Sequence, residues 1–219
     1  MTITSIEPYP MPGQADLPPA QVSWRPDPRR AALLVHDMQR YFVDFLPCDA
    51  SPTVELLHNT AALRQAAIAA GLPVFYSAQP GGMTREERGL LTDFWGPGMD
   101  TDPAQREIIP TMSPSPADVV ITKWRYSAFV RSDLLSRLQR AGRDQLIICG
   151  IYAHIGCLST ANEAMALDVQ PFLVADAIAD FSADYHRLAL AYAAERCAAV
   201  VTTSDVLGCL EPGTPRDHA

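Results

Sequence analysis

The chain has 219 residues, 48% of them hydrophobic, and 17 Lys and Arg against 25 Asp and Glu give a formal charge of -8 and a pI near 5.0. That length predicts one domain with a substantial core, and the acidic balance leaves no basic stripe for nucleic acid or an anionic membrane. No run approaches the roughly 20 apolar residues of a membrane span, the start lacks the cationic and apolar parts of a secretory signal, and the five cysteines hold no C-x-x-C pair, so a reduced, cytoplasmic protein without disulfides is expected.

Residues 1–30 carry prolines at 8, 10, 12, 18, 19, 26 and 28 and are expected to form an extended arm. The main domain is expected over 31–208, with a polar tail at 209–219. Six short apolar runs rich in β-branched residues punctuate it: "AALLVHD", "LPVFYSA", "DVVITKW", "QLIICGIY", "QPFLVADA" and "AAVVTTSD". Their apolarity is continuous, which predicts strands covered on both faces. Helical stretches separate them: 52–70, 133–141 after the N-cap Ser132, the segment after Gly156, and a helix after the N-cap Ser182. The alternation predicts an α/β fold: three-layer α/β/α, Rossmann-like, with a mainly parallel six-stranded sheet and right-handed crossovers.

Ligands in such folds bind beyond the carboxyl ends of the strands. Polar residues that end apolar runs are therefore site candidates: Asp37, Gln79, Lys123 and the turn from Tyr152 to Gly156. Asp37 and Lys123 read as the acid and cation of a site, or as an ion pair tying two strands together. Within "GIYAHIGCLSTANEA", Cys157 shares a helical stripe with Ala161, Ala164 and Met165, which favours core filling over a nucleophile. Gly156 lies at the crevice end, where unpaired first-turn N–H groups suit a carboxylate and a missing Cβ permits close approach; a plain turn glycine is the alternative.

By strand alternation His36 is expected to point away from Asp37 and to serve packing, while His58 and His186 fall on solvated helix faces. No histidine pair has metal-ligand spacing, so no metal is predicted. Without a G-x-G-x-x-G or Walker loop, no nucleotide cofactor is predicted either. The tract "QPGGMTREERGLLTDFWGPGM", with Arg85, Arg88 and Trp95, reads as a lid over the crevice or as a surface excursion with a short helix.

The segments "LLVHDMQRYF", "AQPGG", "LLTDFWGPGM", "TKWRYSAF", "YAHIG" and "VADAIADFS" resemble the isochorismatases over most of the chain. Within that family they are most similar to the stand-alone hydrolases of 2-amino-2-deoxyisochorismate in phenazine biosynthesis. The wider superfamily includes cysteine amidases with an Asp, Lys and Cys triad. Their nucleophile pattern, laid on "GIYAHIG", puts Gly156 at the cysteine position. The metal-binding histidines of nicotinamidases have no counterpart in "DFLPCDAS".

The resemblance implies hydrolysis of the enolpyruvyl ether of 2-amino-2-deoxyisochorismate or isochorismate. The products would be pyruvate and a trans-dihydro-hydroxyanthranilate or trans-dihydrodiol. It implies Asp37 as the acid and Lys123 as its cationic neighbour. Phe42 (or the adjacent Tyr41), Gln79, Arg88, Trp95, Tyr126, Tyr152 and the backbone of Gly156 would form the pocket. It further implies a small-molecule chorismate-derived substrate, no cofactor and a homodimer. The acid role leads to the expectation that burial and a substrate carboxylate raise the Asp37 pKa against the pull of Lys123. Two alternatives stand beside this reading: a cysteine amidase using Cys157 in a shifted register, and an inactive docking partner of a biosynthetic complex.

Overall fold

The six apolar runs become the six strands of a single sheet in the computed structural model, which describes residues 4–211. They are β1 (Ala31–His36), β2 (Val74–Ala78), β3 (Val119–Thr122), β4 (Gln145–Ile151), β5 (Gln170–Ala179) and β6 (Ala199–Val201). The spatial order is β3-β2-β1-β4-β5-β6, and every neighbouring pair is parallel. Every residue of β1 and β4 is buried, as their unbroken apolarity predicts for strands with helices on both faces.

The helices, in chain order, are α1 (Arg40–Val43), α2 (Thr53–Ala69), α3 (Arg85–Arg88), α4 (Leu91–Trp95) and α5 (Pro103–Arg106). They continue with α6 (Leu134–Arg140), α7 (Leu158–Ala166), α8 (Ala183–Arg196) and α9 (Thr203–Leu210). One apolar layer joins α2 and α9 to Leu33, Val35 and Ile147; the other joins α6, α7 and α8 to Leu34, Ile148 and Leu173. Alternate residues of one strand thus feed opposite cores, and each buried Leu, Ile or Val contributes roughly 1.5–3 kcal/mol. The result is the predicted three-layer α/β/α architecture. Among the described residues no helix is long and apolar enough to cross a membrane.

Three local expectations need correction. Leu134 opens α6 behind Asp133, although the Ser132 hydroxyl still accepts from the Leu134 N–H at 3.3 Å. The run "AAVVTTSD" is strand only to Val201; Thr202 then caps α9 through reciprocal bonds with Asp205. That helix continues to Leu210, inside the segment expected to be tail, and residues 212–219 lie outside the described residues. Finally, His186 is wholly buried rather than solvated, because α8 turns His186, Ala189, Leu190 and Ala193 inward together.

The proline-rich arm is extended and fastened to the domain. The Ile6 N–H donates to the Phe45 carbonyl at 2.8 Å, and the side chains of Ile6 and Tyr9 are buried. The Tyr9 hydroxyl accepts from the Asp180 N–H at 2.7 Å and meets His186 Nδ1 at 3.2 Å. Because His186 Nε2 faces the Ala175 carbonyl at 3.1 Å, Nε2 carries the hydrogen and Nδ1 accepts from Tyr9.

Candidate active site

The strand order reverses between β1 and β4, and the chain leaves both strands in opposite directions there, which opens a crevice at their carboxyl ends. A cleft occupies this position. All nine residues singled out from sequence line it: Asp37, Phe42, Gln79, Arg88, Trp95, Lys123, Tyr126, Tyr152 and Gly156. Asp37, Gln79 and Lys123 follow the last residues of β1, β2 and β3, so three parallel strands deliver three polar side chains to one edge.

Asp37 is 5% exposed and takes a left-handed backbone conformation at φ 50°. Few residues other than glycine adopt that region, at a cost on the order of 1 kcal/mol. Its carboxylate meets Lys123 Nζ at 2.8 Å through Oδ2 and accepts from the Ser77 hydroxyl at 2.6 Å through Oδ1. Burial pushes this carboxyl up, but Lys123, His36 and the Ser77 hydroxyl together outweigh it and hold the group below the ordinary carboxylate value. In the free site, then, Asp37 is an anion, and the expected upward shift is not present without substrate.

His36 also departs from expectation. The left-handed turn at Asp37 ends the strand alternation, so the buried imidazole comes within 3.8 Å of Asp37 Oδ2 while Nδ1 lies 2.8 Å from the Ile151 carbonyl. Burial, opposed by Asp37 and assisted by Lys123, brings its pKa down to about 4, so the ring is neutral near pH 7. The Tyr126 backbone lies close to the ring, yet Nε2 has no partner in hydrogen-bond geometry.

Gly156 sits in a wide, π-helical turn (Ala153–Cys157) that precedes α7. The N–H groups of Ile155, Gly156 and Cys157 all converge on the Tyr152 carbonyl, at 3.3, 3.0 and 3.2 Å. They are therefore not the unpaired donors expected for a carboxylate; the widened turn folds them onto one acceptor. The Cys157 side chain faces the α6–α8 core with no exposure, and burial drives its thiol well above the ordinary value. This overturns the amidase alternative, since a nucleophilic thiol needs access and a stabilised thiolate.

The tract after β2 folds over the cleft as α3 and α4. Arg85 is exposed, whereas Arg88 is buried against the glycine-rich turn and donates from Nε to the Gly96 carbonyl at 2.6 Å. A Cβ on Gly98 would fall 2.3 Å from Arg88 Nη1, so glycine there makes room for the guanidinium. Burial lowers the Arg88 pKa, and among the described residues no carboxylate pairs with it. Trp95 donates from Nε1 to the Tyr126 hydroxyl at 2.7 Å, and the Tyr152 hydroxyl donates to the Phe42 carbonyl at 2.5 Å. Tyr152 rests against Phe181, centroids 4.6 Å apart, with Phe42 edge-on at 6.2 Å.

Sequence reasoning passed over Ser77, Gln39 and Phe181. Gln39 is fully buried and grips both backbone groups of Gln79, accepting from its N–H at 2.7 Å and donating to its carbonyl at 2.9 Å. A second bond from Gln39 Nε2, to the Arg106 carbonyl at 2.8 Å, ties the same anchor to the segment beyond the lid. Among the described residues no three His, Cys, Asp or Glu side chains gather in metal-binding geometry.

The isochorismatase domain model matches residues 31–205, from the first residue of β1 into α9. The chain belongs to the isochorismatase family. It is 56% identical to the phenazine biosynthesis protein PhzD of Pseudomonas fluorescens, over 94% of this chain and 98% of that one. It is 53% identical to the isochorismatase of Bacillus subtilis, over 96% of this chain and 68% of that one. Among solved structures it is similar to a cysteine hydrolase from Pseudomonas syringae pv. phaseolicola, with a TM-score of 0.78 and 25% identity, covering 88% of this chain and 97% of that one. As an isochorismatase-family hydrolase it thus shares its fold with a cysteine hydrolase, while the thiol beside its own cleft is sealed in the core.

Proposed function

We propose that this hydrolase cleaves the enolpyruvyl ether of 2-amino-2-deoxyisochorismate or isochorismate by protonation on carbon, with Asp37 as the general acid. The observation that carries the reading is the composition of the cleft: one carboxyl group, Asp37, three cations, Arg88, Lys123 and Arg125, and no thiol. A dicarboxylate substrate suits such a wall, and the guanidinium of Arg88, bonded so far to the Gly96 carbonyl, would gain a counter-charge from it.

Vinyl ethers react with acid at the terminal methylene. The Asp37 proton goes to that carbon, making a methyl group and an oxocarbenium ion. Water adds to the cation, loses a proton, and the resulting hemiketal breaks its other C–O bond to release pyruvate and the ring alcohol. One water is consumed, and no covalent enzyme intermediate forms. Asp37 starts as an anion, so the proton must arrive with substrate. Substrate carboxylates near Lys123 and Arg88 would neutralise the cations that hold the Asp37 pKa down, and burial would then favour its acid form. The aromatic wall of Phe42, Trp95, Tyr152 and Phe181 would orient the ring and limit water.

Positioned acid catalysis contributes about 10²- to 10⁴-fold, or roughly 3–5 kcal/mol of barrier. Asp37→Asn and Asp37→Ala are therefore expected to lose that factor in kcat in a pyruvate-release assay while still binding substrate. Near-normal turnover in either variant would remove Asp37 from the role. Comparing kcat/KM for the two substrates identifies the preferred one. The family resemblance also supports a homodimer, which sedimentation equilibrium checks.

A further inference from the structure

Gly156 is not demanded by its backbone, since its φ lies outside the left-handed region. The demand is steric and comes from one side chain. A Cβ at this position would stand 2.2 Å from His36 Cε1, 3.0 Å from Nε2 and 3.1 Å from Nδ1. Real Cβ atoms do not approach that closely, and the imidazole has no room to retreat, being wholly buried between the two strand ends. Its orientation is fixed as well. The Ile151 carbonyl can only accept, so Nδ1 carries the hydrogen and points along the edge shared with Asp37. The ring thus joins the end of β1 to the end of β4, directly before the residue whose left-handed turn aims the carboxylate at Lys123.

We propose that His36 is the positioning residue for Asp37, and that residue 156 is glycine in order to seat the His36 ring. The same pair fixes the reaction class: the volume from which a nucleophilic side chain at 156 would start is filled by imidazole, so acid and thiol chemistry exclude each other here. This inference rests on the acid role proposed for Asp37.

The test is a double-mutant cycle of Gly156→Ala and His36→Ala, with His36→Asn as the conservative variant, read as kcat and KM separately. Displacing a reacting group by about 1 Å costs on the order of 10²-fold. Gly156→Ala is expected to lower kcat by about that factor with KM changed less than about threefold, because the methyl and the ring cannot both be seated and the strand end that carries Asp37 must shift. His36→Ala is expected to lose about tenfold to a hundredfold in kcat. His36→Asn, which keeps a donor near the Nδ1 position, is expected to recover most of that loss. In the double variant the new methyl enters the space the ring has left, so the two losses should not multiply.

Multiplying losses, or a His36→Ala enzyme within twofold of the parent kcat, would overturn the proposal. If His36→Ala does not fold, His36→Asn still decides: it must keep turnover alone and relieve most of the Gly156→Ala defect, since it retains a donor near the Nδ1 position but has no atom at the Cε1 position that a methyl would strike. Asp37→Asn in the same assay separates the two readings. An active Asp37→Asn enzyme defeats the acid role itself, whereas an inactive one beside fully active His36 variants defeats only the pairing.

Discussion

Arg88 shows most directly how a single side chain trades folding for binding. Its guanidinium is buried, bonded to the Gly96 carbonyl, and faces no carboxylate among the described residues, so the folded enzyme bears an uncompensated charge. Arg88→Met should raise stability by about 1 kcal/mol in urea unfolding and raise KM by about 10²-fold or more. A stable variant with unchanged KM would mean that substrate anions are met elsewhere. Asp37 gives a second residue-scale expectation. Its carboxyl sits below the ordinary value in the free enzyme, yet the proposed reaction needs its acid form, so kcat/KM should fall as pH rises from about 5 to 8, by up to about tenfold per unit. Calorimetry of a dicarboxylate analogue in buffers of different ionisation enthalpy should accordingly show net proton uptake. The proposed mechanism uses no thiol: Cys48 is exposed and Cys209 half-buried while Cys149, Cys157 and Cys197 are buried, so one thiol should react rapidly and a second more slowly with a disulfide reagent, both without loss of activity, and Cys157→Ala should keep kcat within about twofold. Asp37, Gln79 and Lys123 were legible in the sequence because each is a polar residue ending an apolar run. His36 was not, because alternation assumes extended backbone through residue 37, and Asp37 is left-handed. Gln39 was hidden for another reason: its partners are backbone groups brought in from two distant places, the end of β2 and the end of α5.

At the scale of elements, the strands were readable from unbroken apolarity, since being covered on both faces leaves no other pattern. The helix α9 was not, because "VVTTSD" runs from strand into capping box without a glycine or proline to mark the change. The arm is the element with the clearest energetic consequence. Tyr9 reaches the Asp180 N–H and His186, and Asp180 in turn holds His154 by its backbone N–H at 2.6 Å and its ring at 2.7 Å. Tyr9→Phe leaves a buried N–H and a buried imidazole nitrogen without partners, at about 1–3 kcal/mol, and chemical denaturation should register that loss. Because Asp180 stands beside Phe181 in the cleft wall, KM should rise in the same variant by more than kcat falls.

For the whole molecule, two neutral imidazoles locked in the interior set the acid limit of stability. Burial brings both His36 and His186 down to about 4, against an ordinary value of 6.5. Their contribution is complete above about pH 6.5 and fades as pH falls toward 4, because in that window the unfolded chain takes up protons that the folded one refuses. The slope approaches roughly 2.7 kcal/mol per pH unit for the pair. Urea unfolding at several pH values should show it, and His186→Gln, which keeps the donor toward Ala175, should about halve it. The β1–β4 junction has a further consequence, for biosynthesis. His36 meets its carbonyl partner 115 positions later in the chain. On the ribosome, β1 can dock on β2 early but must wait for β4 to emerge before its second edge is covered, and non-local pairing of this kind is slow. The crevice therefore closes only once β4 has emerged, and a nascent chain cut off before β4 carries seven of the nine cleft residues named from sequence, Asp37 to Tyr126, on an open, sticky edge.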